Sequence, residues 1–279
     1  MSRARRVMIL PDLHVPHHDP AALACVLATA SAWDPDEIVV LGDWLDAALF
    51  SAHAKLSLAE DCAHGFLASE VGPVNAILDT LQSRGKGRAA RPLRYLEGNH
   101  EQRIERWAAN AGGKLGADLY KLASPRHLIE RRVDADGYAH GARKSFTWIP
   151  YIGAQCYSHY QIAPGGAECS PLVAIHGWSW GAHFAAANLA RARNVSIVCG
   201  HTHRAQSVTG RDPLTRATIK SWSPGCLAQL VMPYAANAPS DASHGFSLVY
   251  VGAHSWTDYT IQVTNQGRAI LPDGTEVRA

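Results

Sequence analysis

The first half of the chain alternates short apolar segments with longer segments of helical pattern. Three apolar segments end abruptly in polar residues or glycine, which is typical of short buried strands. They occupy residues 7–10, 37–41 and 93–97. After the first, Asp19-Pro20 supplies a favourable N-cap and first helical position, and predicts an alanine-rich helix to about Ser31. A second helix is predicted at about 69–84. Strands that alternate with helices indicate a parallel sheet.

The second half of the chain keeps this alternation at first and then changes to longer strands. A helix is predicted from Glu101 to about Asn110, followed by a poorly patterned stretch to about Asp136. Strands are then predicted at 172–175 and 195–199 around a helix near 183–193, and alternating segments at 246–251 and 256–263 predict antiparallel strands. We therefore expect one domain over residues 1–279, with an insertion at about 104–170 that determines specificity.

Composition restricts the class of protein. Of the 279 residues, 47% are hydrophobic and 18% are charged, which allows a substantial core and excludes a disordered tail. The formal net charge of +2 gives no strong signal for nucleic acid, although it leaves room for local basic patches. Long apolar runs are missing from the sequence, so neither a membrane span nor a membrane partner is expected. The six cysteines form no Cys-x-x-Cys pair, and we expect them reduced, in the cytoplasm.

Histidine is abundant, with 15 residues, and several histidines lie with Asp or Asn directly after predicted strands. Five clusters follow five strands in chain order: Asp12-Leu13-His14, Gly42-Asp43-Trp44-Leu45-Asp46, Gly98-Asn99-His100-Glu101, His176-Gly177 and Gly200-His201-Thr202-His203. Because ligands bind outside the carboxyl ends of the strands in α/β sheets, we expect these clusters to converge on one site. Side chains two residues apart in an extended segment face the same way, so the Asp-x-His and His-x-His pairs can each direct two donors there.

Taken singly, each cluster has a simpler explanation, such as a turn at Gly98-Asn99 or a core histidine at His176. In their order and residue types, however, the five clusters together resemble the motifs of the calcineurin-like metallophosphoesterase superfamily. Those motifs are Asp-x-His, Gly-Asp-x-x-Asp, Gly-Asn-His-Asp/Glu, a single His and Gly-His-x-His. The resemblance spans residues 12–203 and is to the phage and bacterial members. It implies an α/β fold with a two-sheet β-sandwich flanked by helices, in an α-β-β-α architecture. Ala47 follows Asp46 where the protein serine/threonine phosphatase branch has Arg-Gly, which disfavours that branch.

The resemblance also implies a dinuclear metal centre. Position by position, it places Asp12, His14 and His203 on one metal and Asn99, His176 and His201 on the other, with Asp43 as the bridge. Carboxylate, imidazole and amide donors without thiolate suit manganese, iron or zinc better than magnesium. We expect manganese, with iron or zinc as alternatives. Two such ions can stabilise the attacking and leaving oxygens at phosphorus, with their shared water as the nucleophile.

His100 and Asp46 are the remaining catalytic candidates. The resemblance implies that His100 lies beside the scissile phosphate, as acid to the leaving group or as a charge stabiliser, and that Asp46 orients its ring. The alternative is that His100 only caps the helix that begins at Glu101. We favour catalysis, because a positioned His–carboxylate pair is the usual general acid arrangement. Arg103 and Arg106 could contact phosphate or form a solvated helix face.

These observations predict a dinuclear metal-dependent phosphoesterase that hydrolyses phosphomonoesters, phosphodiesters or both, with a small phosphoester as its substrate. A nuclease on the same core is the alternative enzyme, and DNA or RNA would then be the partner. A binding scaffold on a catalytically decayed core is the alternative from another class. It is disfavoured because the residues of all five motifs are present.

Overall fold

Two β-sheets packed face to face form the centre of the molecule. The computed structural model describes residues 3–51, 65–151, 158–177, 181–192, 194–232 and 241–279. The strands are β1 (Arg5–Leu10), β2 (Glu37–Val40), β3 (Leu93–Leu96), β4 (Phe146–Ile149), β5 (His159–Ala163), β6 (Leu172–Ile175), β7 (Ser196–Cys199), β8 (Ala205–Arg211), β9 (Thr218–Pro224), β10 (Gly245–Val251), β11 (Trp256–Gln262), β12 (Arg268–Ile270) and β13 (Glu276–Arg278). The α-helices are α1 (Pro20–Trp33), α2 (Gly72–Gln82), α3 (Asn99–Ala111), α4 (Gly113–Ala123), α5 (Pro125–Glu130) and α6 (Phe184–Arg191).

The strand order places the carboxyl ends of the central strands at one edge. The first sheet has the order β11-β10-β1-β2-β3-β4, and β1 to β4 run parallel. The second has the order β5-β6-β7-β9-β8, with β6, β7 and β9 parallel. Leu10 pairs with Val40 in the first sheet and Ile175 pairs with Cys199 in the second, so these neighbouring strands end level. The antiparallel pairing of β10 with β11 confirms the prediction for the last strands.

Apolar side chains fill three layers around the sheets. Ile9 and Leu41 of the first sheet pack with Leu172, Val198 and Trp222 of the second, all of them fully buried. The other face of the first sheet packs against α1 and α2, and the other face of the second packs against α6. The α/β architecture of two sheets flanked by helices is therefore confirmed.

Helix boundaries agree with the pattern of the sequence except after α3. The Asp19 side chain caps α1 by accepting a hydrogen bond from the backbone of Ala22 at 2.8 Å, and a π-helical turn, Leu67–Val71, precedes α2. The stretch described as poorly patterned contains α4 and α5, which were not predicted. The packing of α4 on α3 depends on Gly116, where a Cβ would lie 2.3 Å from the carbonyl oxygen of Ala108.

The segment at about 104–170, expected to be an insertion, also contributes to the sheets. It supplies β4 to the first sheet and β5 to the second. Arg143 ties it to α2, donating to the side-chain oxygens of Asp79 at 2.6 Å and Asn75 at 2.7 Å. Its role in specificity stays a prediction, as does the single-domain organisation over residues 1–279.

The described cysteines, Cys25, Cys169, Cys199 and Cys226, carry free thiols. Cys62 and Cys156 lie outside the described residues. Among the helices that the structure describes, none has the length and hydropathy needed to cross a bilayer. The expected cytoplasmic location stays a prediction.

Candidate metal centre

The five predicted clusters meet at the edge where β1, β2, β3, β6 and β7 end. The structure brings together all nine side chains proposed for the site. Within the described residues, the donor atoms of seven of them form three overlapping groups, and Asn99 and Asp46 contact His176 and His14. The groups are Asp12 with His14 and His203, His14 with Asp43 and His100, and Asp43 with His176 and His201. In each group the ligand atoms lie within 4.8 Å of one another.

The first half of the centre is formed by Asp12, His14 and His203. Nε2 of His203 lies 3.3 Å from Oδ2 of Asp12 and 3.0 Å from Nε2 of His14. The Asp12 carboxylate is fixed from behind, because both of its oxygens accept from the backbone N–H of His201 at 2.9 Å. Three ligand atoms from the loops after β1 and β7 therefore converge on one point.

The second half of the centre contains Asn99, His176 and His201. Nε2 of His176 lies 2.9 Å from Oδ1 of Asn99 and 3.2 Å from Nδ1 of His201. The loops after β3, β6 and β7 supply these side chains, so the two sheets contribute jointly.

Asp43 lies between the two halves. Its Oδ2 atom is 3.3 Å from Nε2 of His176 and 3.9 Å from Nε2 of His14, and the side chain is buried. One carboxylate therefore faces donors from both groups, which is the position that a bridging ligand requires.

Hydrogen bonds on the far ring nitrogens select the nitrogen that faces the centre. Nδ1 of His14 lies 2.9 Å from Oδ1 of Asp46, and Nδ1 of His176 lies 2.8 Å from the carbonyl oxygen of Leu41. Since these oxygens only accept, both Nδ1 atoms carry a proton, and in each neutral ring Nε2 is the nitrogen that has the lone pair. Such partners orient metal-binding histidines and fix their tautomer.

Two glycines allow the carboxylates to reach their positions. A Cβ on Gly98 would lie 2.1 Å from Oδ1 of Asp43, and a Cβ on Gly200 would lie 2.2 Å from Oδ1 of Asp12. Any side chain there would displace a ligand. Carboxylate, amide and imidazole donors that converge without thiolates, most of them buried, fit divalent transition metal ions.

The backbone at the centre adopts the left-handed conformation at four residues that are not glycine. His14, Asp43, His201 and His203 have φ angles of 51°, 52°, 71° and 58°. Such residues cost about 1–3 kcal/mol each and persist where the surrounding structure fixes them. The candidate metal ligands are therefore held in place at a conformational cost.

Charge and burial favour the neutral form of His14, which a metal ligand requires, and the ionised form of its partner Asp46. Burial, assisted by His100, lowers the pKa of His14 to about 4. Burial opposes ionisation of Asp46, but hydrogen bonds from His100 and His14 outweigh it and hold the pKa of this carboxyl below its usual value. Burial also lowers the pKa of His176, but Asp43 and Asp12 outweigh it and raise the pKa to about 10. A bound cation would compete with that proton for the same ring.

His100 lies beside the bridging carboxylate and is almost fully buried. Its Nδ1 atom is 2.6 Å from the carbonyl oxygen of Asp46 and 3.4 Å from Oδ1 of the same residue, and its Nε2 atom is 3.9 Å from Oδ2 of Asp43. Asp46 therefore contacts His100, as expected, but its carboxylate is closer to His14. Burial lowers the pKa of His100, but Asp43 and Asp46 outweigh it and raise the pKa above its usual value.

Glu101 positions the centre, a role that the sequence did not indicate. Its buried carboxylate accepts five hydrogen bonds at 2.8–3.1 Å, four from backbone N–H groups and one from a hydroxyl. The donors are the backbone of Asp43, Trp44, Leu45 and Gly98 and the phenol of Tyr95. Glu101 thus fastens the loop after β2 to the start of α3.

A second buried carboxyl, Glu70, supports the same loop from the π-helical turn. Its Oε2 atom accepts from the backbone N–H of Ala47 at 2.8 Å, next to Asp46. Burial, together with the charges of Asp46 and Glu101, raises the pKa of Glu70 to about 8.

Comparison with known proteins gives a family match and several distant relatives. A family model described as calcineurin-like phosphoesterase matches residues 5–205. The Gene 54 protein of Mycobacterium phage D29 is 25% identical over 207 residues, which cover 72% of this chain and 70% of that protein. Vps29 from Chaetomium thermophilum is similar in structure, with 15% identity, a TM-score of 0.42 and coverage of 99% of this chain and 95% of that chain. Vacuolar protein sorting 29 from Cryptosporidium parvum has 14% identity, a TM-score of 0.44 and coverage of 100% and 97%.

Proposed function

The chain belongs to the calcineurin-like phosphoesterase family, and we propose that it hydrolyses small phosphoesters at a centre for two metal ions. The position of Asp43 is the observation that carries this proposal. Its Oδ2 atom lies 3.3 Å from Nε2 of His176 and 3.9 Å from Nε2 of His14, so a single carboxylate serves both groups of donors. A site for one ion needs no such shared ligand.

Seven residues would hold the two ions: Asp12, His14 and His203 on one side, Asn99, His176 and His201 on the other, and Asp43 between them. We propose manganese, with iron or zinc as alternatives, because the donors are oxygen and imidazole nitrogen. When bound, two such ions neutralise the charge of a phosphoryl group and lower the pKa of the water that attacks phosphorus.

The protein's own contribution to the chemistry is a proton donor at His100. Nδ1 of His100 donates to the carbonyl oxygen of Asp46 at 2.6 Å, which leaves Nε2 on the side of Asp43. In its charged form the ring can give the Nε2 proton to the leaving-group oxygen as the bond to phosphorus breaks. The raised pKa of His100, which Asp43 and Asp46 cause against the effect of burial, favours that charged form.

A small phosphoester is preferred over nucleic acid because many basic side chains, among those that the structure describes, already pair with acids of the chain. A nuclease that holds a duplex needs several phosphate contacts from Lys and Arg. Here the formal net charge is +2, and many arginines pair with acids of the same chain. Arg5 and Arg94 bind Glu37; Arg6, Arg84, Arg88 and Arg91 surround Asp34; and Arg132 and Arg143 bind Asp79.

A panel assay with manganese tests the proposal. Phosphomonoesters, phosphodiesters, nucleotides and DNA are offered to the full chain, with Asp43→Asn as the matched control. We expect ready turnover of at least one small ester and its loss in the control. Failure to hydrolyse any of them would support a decayed binding scaffold. A kcat/KM for DNA above that of the best small ester would establish the nuclease alternative.

A further inference from the structure

Arg103 lies against the ring of His100, next to the metal centre. It is half-buried in α3, three residues after His100. Its Nη2 atom is 2.9 Å from Nε2 of His100, and its Nη1 atom is 3.0 Å from Nδ1. The guanidinium therefore lies alongside both nitrogens of the proposed proton donor.

At most one of these two contacts is a hydrogen bond, and in the charged ring that acts as the proton donor neither of them is. Nδ1 of His100 is also 2.6 Å from the carbonyl oxygen of Asp46, which only accepts, so Nδ1 carries the proton. Nη2 of Arg103 can donate to Nε2 only while the ring is neutral. Nη1 faces the protonated Nδ1 and can donate to the Asp46 carbonyl at 3.3 Å. A guanidinium has five N–H donors. Within the described residues, the contacts of Arg103 thus leave donors available for an incoming acceptor.

The available donors lie close to the bridging carboxylate. Nε2 of His100, 2.9 Å from Nη2 of Arg103, is itself 3.9 Å from Oδ2 of Asp43. Arg103 is therefore separated from the proposed bridge between the ions by a single imidazole ring. A phosphoryl group placed at the centre would be within reach of the guanidinium.

The other basic residues near the centre are held differently. Arg204 follows His203 but donates to the carbonyl oxygen of Gly181 at 3.0 Å and pairs with Asp241. Arg106 is exposed on the next turn of α3, where it donates to Oε1 of Gln102 at 2.6 Å. Arg103 differs from them in having its guanidinium against both ring nitrogens of His100.

We propose that Arg103 binds the non-bridging oxygens of the substrate phosphoryl group and thereby selects phosphomonoesters over phosphodiesters. The proposal rests on the proposed function and assigns its substrate class. Guanidinium is a planar fork that matches phosphate oxygens, and hydrogen bonds between charged groups are the strong ones. A monoester has a third non-bridging oxygen and a second negative charge, whereas a diester has another ester group in that place. The guanidinium of Arg103 therefore binds a monoester more strongly than a diester.

Kinetics with two esters test the selection. The manganese-loaded full chain, Arg103→Ala, Arg103→Lys and the control Arg106→Ala are assayed with p-nitrophenyl phosphate and bis(p-nitrophenyl) phosphate. In Arg103→Ala we expect kcat/KM to fall about 10- to 100-fold for the monoester, the range of a charged hydrogen bond, and much less for the diester. Arg103→Lys should recover part of the loss. Arg106→Ala should behave as wild type.

An equal loss on both esters would overturn the proposal, because it is the result of a residue that only positions His100. The absence of any loss would overturn it as well.

A binding measurement separates the proposal from the proposed function. Calorimetric titration of the manganese-loaded chain with inorganic phosphate should give a Kd that rises at least about tenfold in Arg103→Ala. The metal content should stay the same in both proteins. If wild type hydrolyses neither ester, the proposed function fails while phosphate binding still decides the role of Arg103. Equal Kd values, or a wild type that binds no phosphate, would overturn that role.

Discussion

The carboxylate of Asp46 holds the imidazole of His14, with Oδ1 2.9 Å from Nδ1. The same oxygen is 3.4 Å from Nδ1 of His100. The sequence indicated Asp46 as the partner of His100 alone. The structure adds a contact with a proposed metal ligand, so one carboxylate connects the metal centre with the proton donor.

Removing this carboxylate should therefore weaken metal binding. Without its acceptor, the His14 ring loses the contact that fixes its tautomer, and loss of such a partner lowers metal affinity by about 10- to 100-fold. We expect that effect in Asp46→Ala and a smaller one in Asp46→Asn, which keeps an acceptor oxygen. Competition with a chelator measures the affinity of each variant for manganese. Unchanged affinity in Asp46→Ala would restrict the role of Asp46 to His100.

Metal content should respond differently to Asp43 and Asp12. Elemental analysis of the chain purified in manganese should find about two ions. Asp43→Asn should lower the occupancy of both sites, because its carboxylate faces both groups of donors. Asp12→Asn is the control and should lower only one. A wild-type chain without metal, or an Asp43→Asn variant that keeps both ions, would contradict the proposed centre.

Removal of His100 should slow turnover without loss of metal. As a proton donor, it should contribute about 10²–10⁴-fold to the rate, so His100→Ala should lose that factor on alkyl esters. The loss should shrink for p-nitrophenyl esters, whose leaving group needs little protonation. Steady-state kinetics on both ester types, with metal analysis, measure it. Equal losses would indicate charge stabilisation instead of proton donation.

Glu101→Gln should destabilise the fold and loosen the centre. An amide NH₂ would face backbone N–H groups that now donate to a carboxylate oxygen, leaving buried donors unpaired. We expect a loss of about 2–3 kcal/mol in the free energy of unfolding. Denaturant unfolding measures it. The control is Glu105→Gln, on the next turn of α3, where the amide oxygen can still accept from the hydroxyl of Tyr120. Equal stability of the two variants would remove the special role of Glu101.

The buried Glu70 should make stability depend on pH. Burial, with Asp46 and Glu101, raises its pKa to about 8 from an ordinary value of 4.5, so the folded state retains a proton that the unfolded state has lost. Stability should therefore fall as pH rises from about 4.5 to about 8, by up to about 1.4 kcal/mol per pH unit, and then level off.

Glu70→Gln should remove this part of the pH dependence, because the amide does not titrate and can still accept from Ala47. Urea unfolding of both proteins with a chelator, at pH 5 to 9, gives the difference. A constant difference across that range would show that Glu70 is ionised in the folded state.

The convergence of the candidate metal ligands could be predicted because each cluster follows a short apolar strand. Leu10 and Val40 end their strands level, as the parallel pattern implied, and the loops beyond them converge. The role of Glu101 could not be predicted in the same way. Its donors include Tyr95 and the backbone of Trp44, which approach it only when the loop after β2 folds onto α3.

Helix α4 was missed for a related reason. Leu115 and Leu122 point outward with 62% and 75% of their surface exposed, so the apolar positions of this segment do not mark a buried face. Gly116, a weak helix former, is used for close packing on α3, which sequence propensity does not reveal. Local patterns thus predicted the strands that lead into the site and the loops after them, but neither β4 and β5 nor the contacts between distant segments.

The left-handed backbone of His14, Asp43, His201 and His203 sets the geometry of the site against the stability of the fold. Natural domains are stable by only about 5–15 kcal/mol, so four residues that each cost about 1–3 kcal/mol take up a substantial part of that margin. Glycine adopts this conformation at little steric cost, so replacing one of these residues by glycine would relieve strain and remove a candidate ligand at the same time. The variants of this chain that are most easily stabilised are therefore those that give up the site.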